Sequence, residues 1–385
     1  MAYHQPVTVP RSAKPSPRLL REMSDEAVLR AIMDDSRLTR AELAVATGLS
    51  RPTAGEAIRR LESAGLVRDT GARTSGRGGV GTYYALADDV GSALAVSIAP
   101  DGVVAEVLTA AGGVERRMEN AVPRPATPET VTEVLDRTAR DALGDLRVRW
   151  AAVSAADPVD KTTSELVHLP DAPFLLGAMS PATTLAPFVE GPIVVDNDVN
   201  WAARAERAAR AEAEPASHVD DFVYLYLGEG LGGAVVTDGQ VRRGHRGLAG
   251  EISQVLVQGP DEQVMPLIEV FGRLGLCHAG ATAIDVDRVL ASLAADSGAT
   301  LTRTLARAVT SVLDAAIAFA DPALVVIGGT WGTAPELVTA IRAAVAAGPR
   351  PVAVSTPVAR NAPALIGARA AAVAGLRADI VARSR

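Results

Sequence analysis

The chain predicts an α/β protein in two parts: a small helical unit closed by a hairpin, then a larger body of two α/β lobes. Three observations carry this. Its 385 residues exceed the usual size of one domain two- to threefold. Charge changes sign along it: residues 1–87 hold 13 Lys and Arg against nine Asp and Glu, a balance of +4, so the net −7 of the whole leaves −11 for the remainder. After Asp88 the pattern turns from Ser- and Thr-capped helical segments to apolar strands alternating with Ala-rich helices. Composition also excludes several classes. Asp, Arg, Gly or Pro interrupts every apolar stretch before the roughly 18–20 residues of a membrane span, so no membrane partner is expected. The first 20 residues lack an apolar core and a small-residue cleavage site, which predicts a cytoplasmic protein. Cys277 is the single cysteine, so an intramolecular disulfide and any multi-thiolate zinc site are impossible within one chain.

Residues 1–17 carry four prolines and no apolar periodicity and read as a flexible arm. Ser24 with Asp25 and Glu26 is expected to start the first helix, with Val28, Leu29 and Ile32 on its apolar face. Thr39 caps a second helix that brings Leu43 and Ala44 inward and ends at Gly48, where a tight turn needs positive φ. Ser50 caps a third, with Pro52 in its first turn, where a missing N–H costs nothing. Its Ala54, Ile58 and Leu61 face inward, leaving Arg51, Thr53, Gly55, Glu56 and Arg59 outward. Strands at 66–68 and 82–86 should enclose the Gly- and Arg-rich loop of 70–81. This succession over 18–87 resembles a winged helix-turn-helix. The resemblance implies double-stranded DNA as partner, Ser50, Arg51, Thr53, Gly55, Glu56 and Arg59 on the major-groove surface, and Arg73 and Arg77 of the wing at phosphates or a narrow minor groove. A helical protein-interaction hairpin with a basic loop is the alternative, and the preference for Arg over Lys can also reflect genome composition.

In the body (88–385), strands are expected at 94–98, 103–108, 150–154, 193–196, 222–227 and 324–327. Helices are expected at about 128–143, 199–213, 286–296, 300–320, 334–347 and 363–376. The loop lengths suggest two lobes around a cleft, about 88–200 with the C-terminal helix, and about 201–360. Three constellations stand out. VVDNDVNWAARAE ends a strand in Asp196, Asn197 and Asp198; LYLGEGLGGAVVTDGQVRRGHRGLAGEISQ holds a glycine-rich turn and a later Gly250-Glu251; ADPALVVIGGTWG ends a strand in Gly328-Gly329.

In this order, behind a winged helix, these constellations are similar to the ROK family of repressors, open reading frames and sugar kinases, over about 18–385. The resemblance implies a two-lobed actin and hexokinase-like (ribonuclease-H-like) fold. It implies sugar ligation by Asn197 and Asp198, the latter at the general-base position of the kinases, and by Glu251 and Glu269. Gln254 stands where the family has a metal-binding, sugar-contacting histidine. Carboxylates and carboxamides suit this work because they bridge adjacent hydroxyls at fixed spacing.

The chain also departs from that pattern. The kinases open the body with an Asp-x-Gly-Gly-Thr turn that cradles phosphate and helps hold magnesium; here SIAPDG puts Ser97 at the Asp and places Pro100, which has no amide donor, near the turn. The second phosphate turn carries Glu229 where Thr or Ser is usual. No cysteine follows Gln254 within QGPDEQVMPLIEVFG, so the family's zinc site is expected to be missing, and no cofactor is expected. The sugar-side turn is altered to AADPVD. His245, His278 and Cys277 have no metal-ligand spacing and read as incidental.

Two function classes compete. One is a non-enzymatic transcription regulator, a repressor of sugar-related genes, acting as a homodimer or dimer of dimers on a two-fold operator and controlled by a sugar or sugar derivative. Within that class, the regulator can also have lost its response to free sugars. The other is an ATP-dependent sugar kinase that kept a DNA-binding head.

Overall fold

The computed structural model describes residues 16–74, 81–124, 126–169, 174–175, 177–215, 219–296 and 299–385. They form two compact units, one of residues up to Gly91 together with Leu376–Arg385, the other Ser92–Gly375.

The first unit opens with α1 (Pro17–Asp35), β1 (Arg37–Thr39), α2 (Arg40–Thr47) and α3 (Arg51–Ser63), then β2 (Val67–Arg73) and β3 (Thr82–Leu86). Helix α1 starts seven residues before the expected Ser24, capped by the Ser16 hydroxyl with proline in its first turn. Ser24 and Asp25 lie inside it and are buried, because Asp25 faces α3 and accepts two hydrogen bonds from Arg60, at 2.5 and 3.0 Å. An acid that looked like a helix start is a tie between helices. Thr39 and Glu42 form a capping box at α2, Gly48 ends it at φ +69°, and the Ser50 hydroxyl caps α3 by accepting from the Thr53 amide. Val28, Leu29, Ile32, Leu43, Ala54, Ile58 and Leu61 are fully buried between the three helices. The short β1 was not legible in the sequence; it completes a sheet of order β1-β3-β2 by pairing antiparallel with β3. The first hairpin strand reaches Arg73, five residues past its expected end, across an irregular register between Asp69 and Arg73.

In the second unit the first lobe contains β4 (Ala93–Ala99), β5 (Gly102–Leu108), β6 (Val114–Asn120), α4 (Pro128–Leu143), β7 (Trp150–Ala155), α5 (Pro181–Leu185) and β8 (Ile193–Asn197). Its sheet runs β6-β5-β4-β7-β8, with β4, β7 and β8 mutually parallel and β5 and β6 antiparallel. Every residue of β6 before Asn120 is exposed, so VERRMEN offers no alternating pattern to read and is placed by its ladder to β5. Helix α6 (Asp198–Ala213) leads into the second lobe: β9 (Phe222–Leu227), β10 (Leu231–Thr237), β11 (Gln240–Val241), β12 (Leu256–Gln258), β13 (Val264–Pro266), α7 (Leu267–Arg273), α8 (Val286–Ala294), α9 (Thr300–Ala320), β14 (Leu324–Gly328), α10 (Pro335–Ala347) and β15 (Ala353–Ser355); the last helix, α11 (Pro363–Ala382), returns to the first lobe, where Arg369 bonds Glu106 of β5 at 2.6 Å and Gly375 packs on the Trp150 ring of β7. The second sheet runs β11-β10-β9-β14-β15.

Gly232 and Gly233, expected in a turn, lie in strand β10, and only 228–230 turns. Helix α11 runs six residues past its expected end; from Leu376 it belongs to the first unit, where Arg377 bonds Asp34 at 2.8 Å and Arg385 bonds Glu26 at 3.1 Å. Helix α6 lies between the two sheets of the body. Val199, Ala202 and Ala203 pack on Phe222, Tyr224 and Val326 of the second sheet, while the Trp201 indole donates to the Val153 carbonyl of the first at 2.9 Å. No helix among the described residues is long and apolar enough to cross a membrane.

Candidate functional site

Two surfaces come out of this construction. On the first unit, α3 turns Arg51, Glu56 and Arg59 to solvent with Thr53 and Gly55 half-buried between them, while Ala54, Ala57, Ile58 and Leu61 fill the core. The Thr53 hydroxyl lies 2.8 Å from that of Ser50, so the cap also orients it. Arg51 and Arg59 have no ion-pair or side-chain hydrogen-bond partner among the described residues. Arg73 does: its guanidinium holds both carboxylate oxygens of Asp69, at 2.9 and 3.2 Å. Arg77 lies outside the described residues.

The second surface is the cleft between the lobes of the body, which holds a cavity of about 100 Å³. Asn197 and Asp198 come from the β8–α6 junction, Tyr226 and Glu229 from the end of β9, Glu251 and Ser253 from the segment after Gly250, and Pro158 and Phe174 close one side. The chain end of a parallel strand and the first turn of the following helix are where such a sheet exposes polar groups. Asn197 caps α6 through the Val199 amide at 2.9 Å and donates to the Asp157 carbonyl at 3.2 Å, so its orientation is fixed from both sides. Beneath it the buried Asp196 carboxylate is held by Arg204 at 2.8 Å and Arg243 at 3.1 Å. Gly250, at φ +102°, carries its carbonyl to the Gly233 amide at 2.9 Å; a Cβ there would stand 1.9 Å from the Gly233 oxygen, so only glycine admits the turn that delivers Glu251.

The structure therefore brings Asn197, Asp198 and Glu251 to one cavity. Gln254 and Glu269 are exposed and do not line it. Residues the sequence did not single out stand beside it. Asp157 is 1% exposed, and neither of its carboxylate oxygens has a hydrogen-bond partner among the described residues. Burial pushes its carboxyl up to about 7; the Leu175 backbone, outside hydrogen-bond geometry, offsets part of this and the Asp198 charge adds to it. Burial likewise pushes Asp198 up to about 6 against the pull of the amides at the start of α6. AADPVD signalled Asp157 as an alteration only.

At the phosphate end, Ser97 lies within β4, two residues before its end at Ala99, and Pro100 and Asp101 make the turn into β5. Glu229 receives both arms of the Arg124 guanidinium, at 2.7 and 3.0 Å. Arg124 precedes α4 in the first lobe and Glu229 follows β9 in the second, so this forked pair spans the cleft. Among the described residues no group of three His, Cys, Asp or Glu could hold a metal ion.

Comparison with known proteins agrees with both halves of this description. Residues 24–68 match the winged helix-turn-helix DNA-binding family and residues 94–283 match the ROK family. The bifunctional enzyme NanE/NanK of Brucella suis is 35% identical over 162 residues, covering 40% of this chain and 29% of that protein. The chain thus spans less than a third of the length of that curated relative. Among solved structures, a ROK family transcriptional regulator described as a homolog of the E. coli MLC protein superposes with a TM-score of 0.64 at 17% identity, over 94% of this chain and 99% of the other. A ROK family glucokinase from Streptomyces griseus, in complex with glucose and AMPPNP, gives 0.54 at 21% identity over 73% and 99%. At those identities the likeness is one of fold.

Proposed function

Because the chain joins a winged helix-turn-helix to a ROK family domain, we propose that it is a sequence-specific DNA-binding regulator whose body takes up a sugar or sugar derivative without phosphorylating it. It acts in the cytoplasm as a homodimer or dimer of dimers on a two-fold operator, and represses genes of carbohydrate use. The observation that carries the non-enzymatic half of the reading is the Arg124–Glu229 pair. Glu229 stands in the turn where a kinase of this fold presents a hydroxyl donor to phosphate, and puts a carboxylate, already paired with Arg124, in its place. With Ser97 in place of the first turn's Asp and Pro100 lacking an amide, the residues present do not fit a magnesium-bound triphosphate. The sugar end keeps the chemistry that a hydroxylated ligand needs, since Asn197, Asp198 and Glu251 line one cavity with Phe174 and Pro158.

Operator selection from a random duplex pool, followed by a thermal-shift panel of sugars, sugar phosphates and ATP with magnesium, tests the reading. A selected duplex, and a sugar or sugar phosphate that stabilises the protein without ATP, are the expected results. Phosphate transfer from ATP to any sugar of the panel would overturn the non-enzymatic half. Failure to enrich any duplex would overturn the regulatory half.

A further inference from the structure

Two arginines beside the wing strand are held by consecutive tyrosines. Strand β1 pairs with β3 so that Thr39 faces Tyr83 and Leu38 faces Tyr84. The Arg37 guanidinium lies 5.1 Å over the Tyr83 ring and that of Arg40 lies 5.3 Å over the Tyr84 ring. Consecutive residues of a strand point to opposite faces, so the two arginines are held on opposite sides of the three-stranded sheet.

Only the Arg40 side is also the side of α3. A Cβ built on Gly55 would meet the Arg40 Cδ at 4.0 Å, so the stem of Arg40 runs beside the one position of the exposed face of α3 that has no side chain. Arg51, Gly55 and Arg59 recur at four-residue spacing and therefore share one stripe of that helix. Three arginine positions thus flank Gly55, two on α3 and one at the first residue of α2. All three are exposed, and none has an ion-pair partner among the described residues. Asp69, the carboxylate whose ionisation Arg40 assists, is already held by Arg73. The Arg40 charge is left for something outside the chain, and a stacked guanidinium has already lost much of the rotamer freedom that binding would remove.

We infer that Arg40, which lies outside the recognition helix, is a DNA-backbone contact: Tyr84 aims it and Gly55 makes room for it, so that it meets a phosphate flanking the bases that α3 reads. Arg37, stacked in the same manner on the opposite face, makes no such contact and serves as the internal control. The inference rests on the DNA-binding reading given above.

The test is equilibrium binding of the full chain to a pool of random-sequence 30-bp duplexes and to a duplex selected from it, at several KCl concentrations. Arg40→Ala is expected to weaken binding severalfold and equally on both DNAs, and to flatten the log–log salt slope by about 0.9, the contribution of one neutralised phosphate. Arg40→Lys, which keeps the charge, should keep most of the slope, and Arg37→Ala should match the unaltered protein. Equal effects of Arg40→Ala and Arg37→Ala overturn the inference, as does a loss confined to the selected duplex, which would make Arg40 a base reader. Thermal midpoints identify any variant that has lost its fold, and Arg40→Lys then decides through the slope. An unaltered protein that binds neither DNA overturns the DNA-binding reading itself, a result distinct from all of these.

Discussion

Asp157 and Asp198 set the pH behaviour of the cleft. Both carboxyls have folded-state values above the ordinary 3.8, about 7 and about 6, so between roughly pH 4 and 7 the folded protein binds more protons than the unfolded chain. Stability from these groups is therefore greatest at acid pH and declines as pH rises through that window. Asp157→Asn removes the larger cost. It should raise the thermal midpoint at pH 8 and do so much less at pH 5, with an upper bound of about 4 kcal/mol at the alkaline end from 1.36 kcal/mol per tenfold change in proton affinity. Equal midpoint gains at the two pH values would show that the Asp157 carboxyl is ionised and accommodated throughout. If the proposed sugar site is right, the two acids that line the cavity, Asp198 and Glu251, should behave differently. Asp198→Asn and Glu251→Gln should abolish the stabilisation by whichever sugar the panel identifies while leaving DNA affinity unchanged; unfolding of both variants would make them structural. Asn197, Asp198 and Glu251 were legible because short, ordered motifs carry them. Arg124 was not, since its partner lies 105 residues away in sequence and nothing local distinguishes it from any other exposed arginine.

At the level of elements, local chemistry foretold helix ends well where a side chain closes its own turn, as at Thr39, Ser50 and Gly48, and less well where distant partners decide. Ser24-Asp25-Glu26 has the composition of a helix start, yet a start upstream at Ser16 leaves Asp25 free to reach Arg60 across 35 residues. Strand β10 escaped notice because glycines usually mark turns; here Gly232 and Gly233 admit Val199 of α6 and the backbone of Gly250 to the sheet. Strand β6 shows no apolar alternation, so only its ladder defines it. Two predictions belong here. Asp25→Ala leaves the half-buried Arg60 without its forked partner and should cost the first unit about 2–3 kcal/mol in chemical denaturation, whereas Glu22→Ala, which breaks an exposed pair on the same helix, should leave the midpoint where it is. A cost for Glu22→Ala as large as that for Asp25→Ala would remove the distinction. Gly250→Ala forces a Cβ against the Gly233 carbonyl in a conformation disfavoured for side chains, so it should cost at least about 2 kcal/mol and abolish sugar binding by displacing Glu251. Unchanged sugar binding in a folded Gly250→Ala protein would free Glu251 from that turn.

For the molecule as a whole, the opposite charges of its two parts divide the work. The +4 of residues 1–87 suits a polyanion, and the −11 of the remainder keeps the body from competing for it. In the proposed regulator, control of the first unit by the second would be a matter of linkage. A sugar can change operator affinity only if it binds the DNA-competent and DNA-incompetent arrangements with different strength, and the operator must then change sugar affinity by the same factor. A typical coupling of about 1–3 kcal/mol corresponds to roughly a 5- to 150-fold change in each. Titrating the sugar into free protein and into the operator complex should therefore yield two dissociation constants whose ratio equals the ratio of operator affinities without and with saturating sugar. Glu229→Gln loosens the pair that spans the cleft and should alter sugar affinity, yet the two ratios must stay equal to each other in that variant as well. A sugar that binds with identical strength in both titrations would show that the cleft and the DNA-reading surface are energetically independent, and the control of this protein would then have to enter through some other contact.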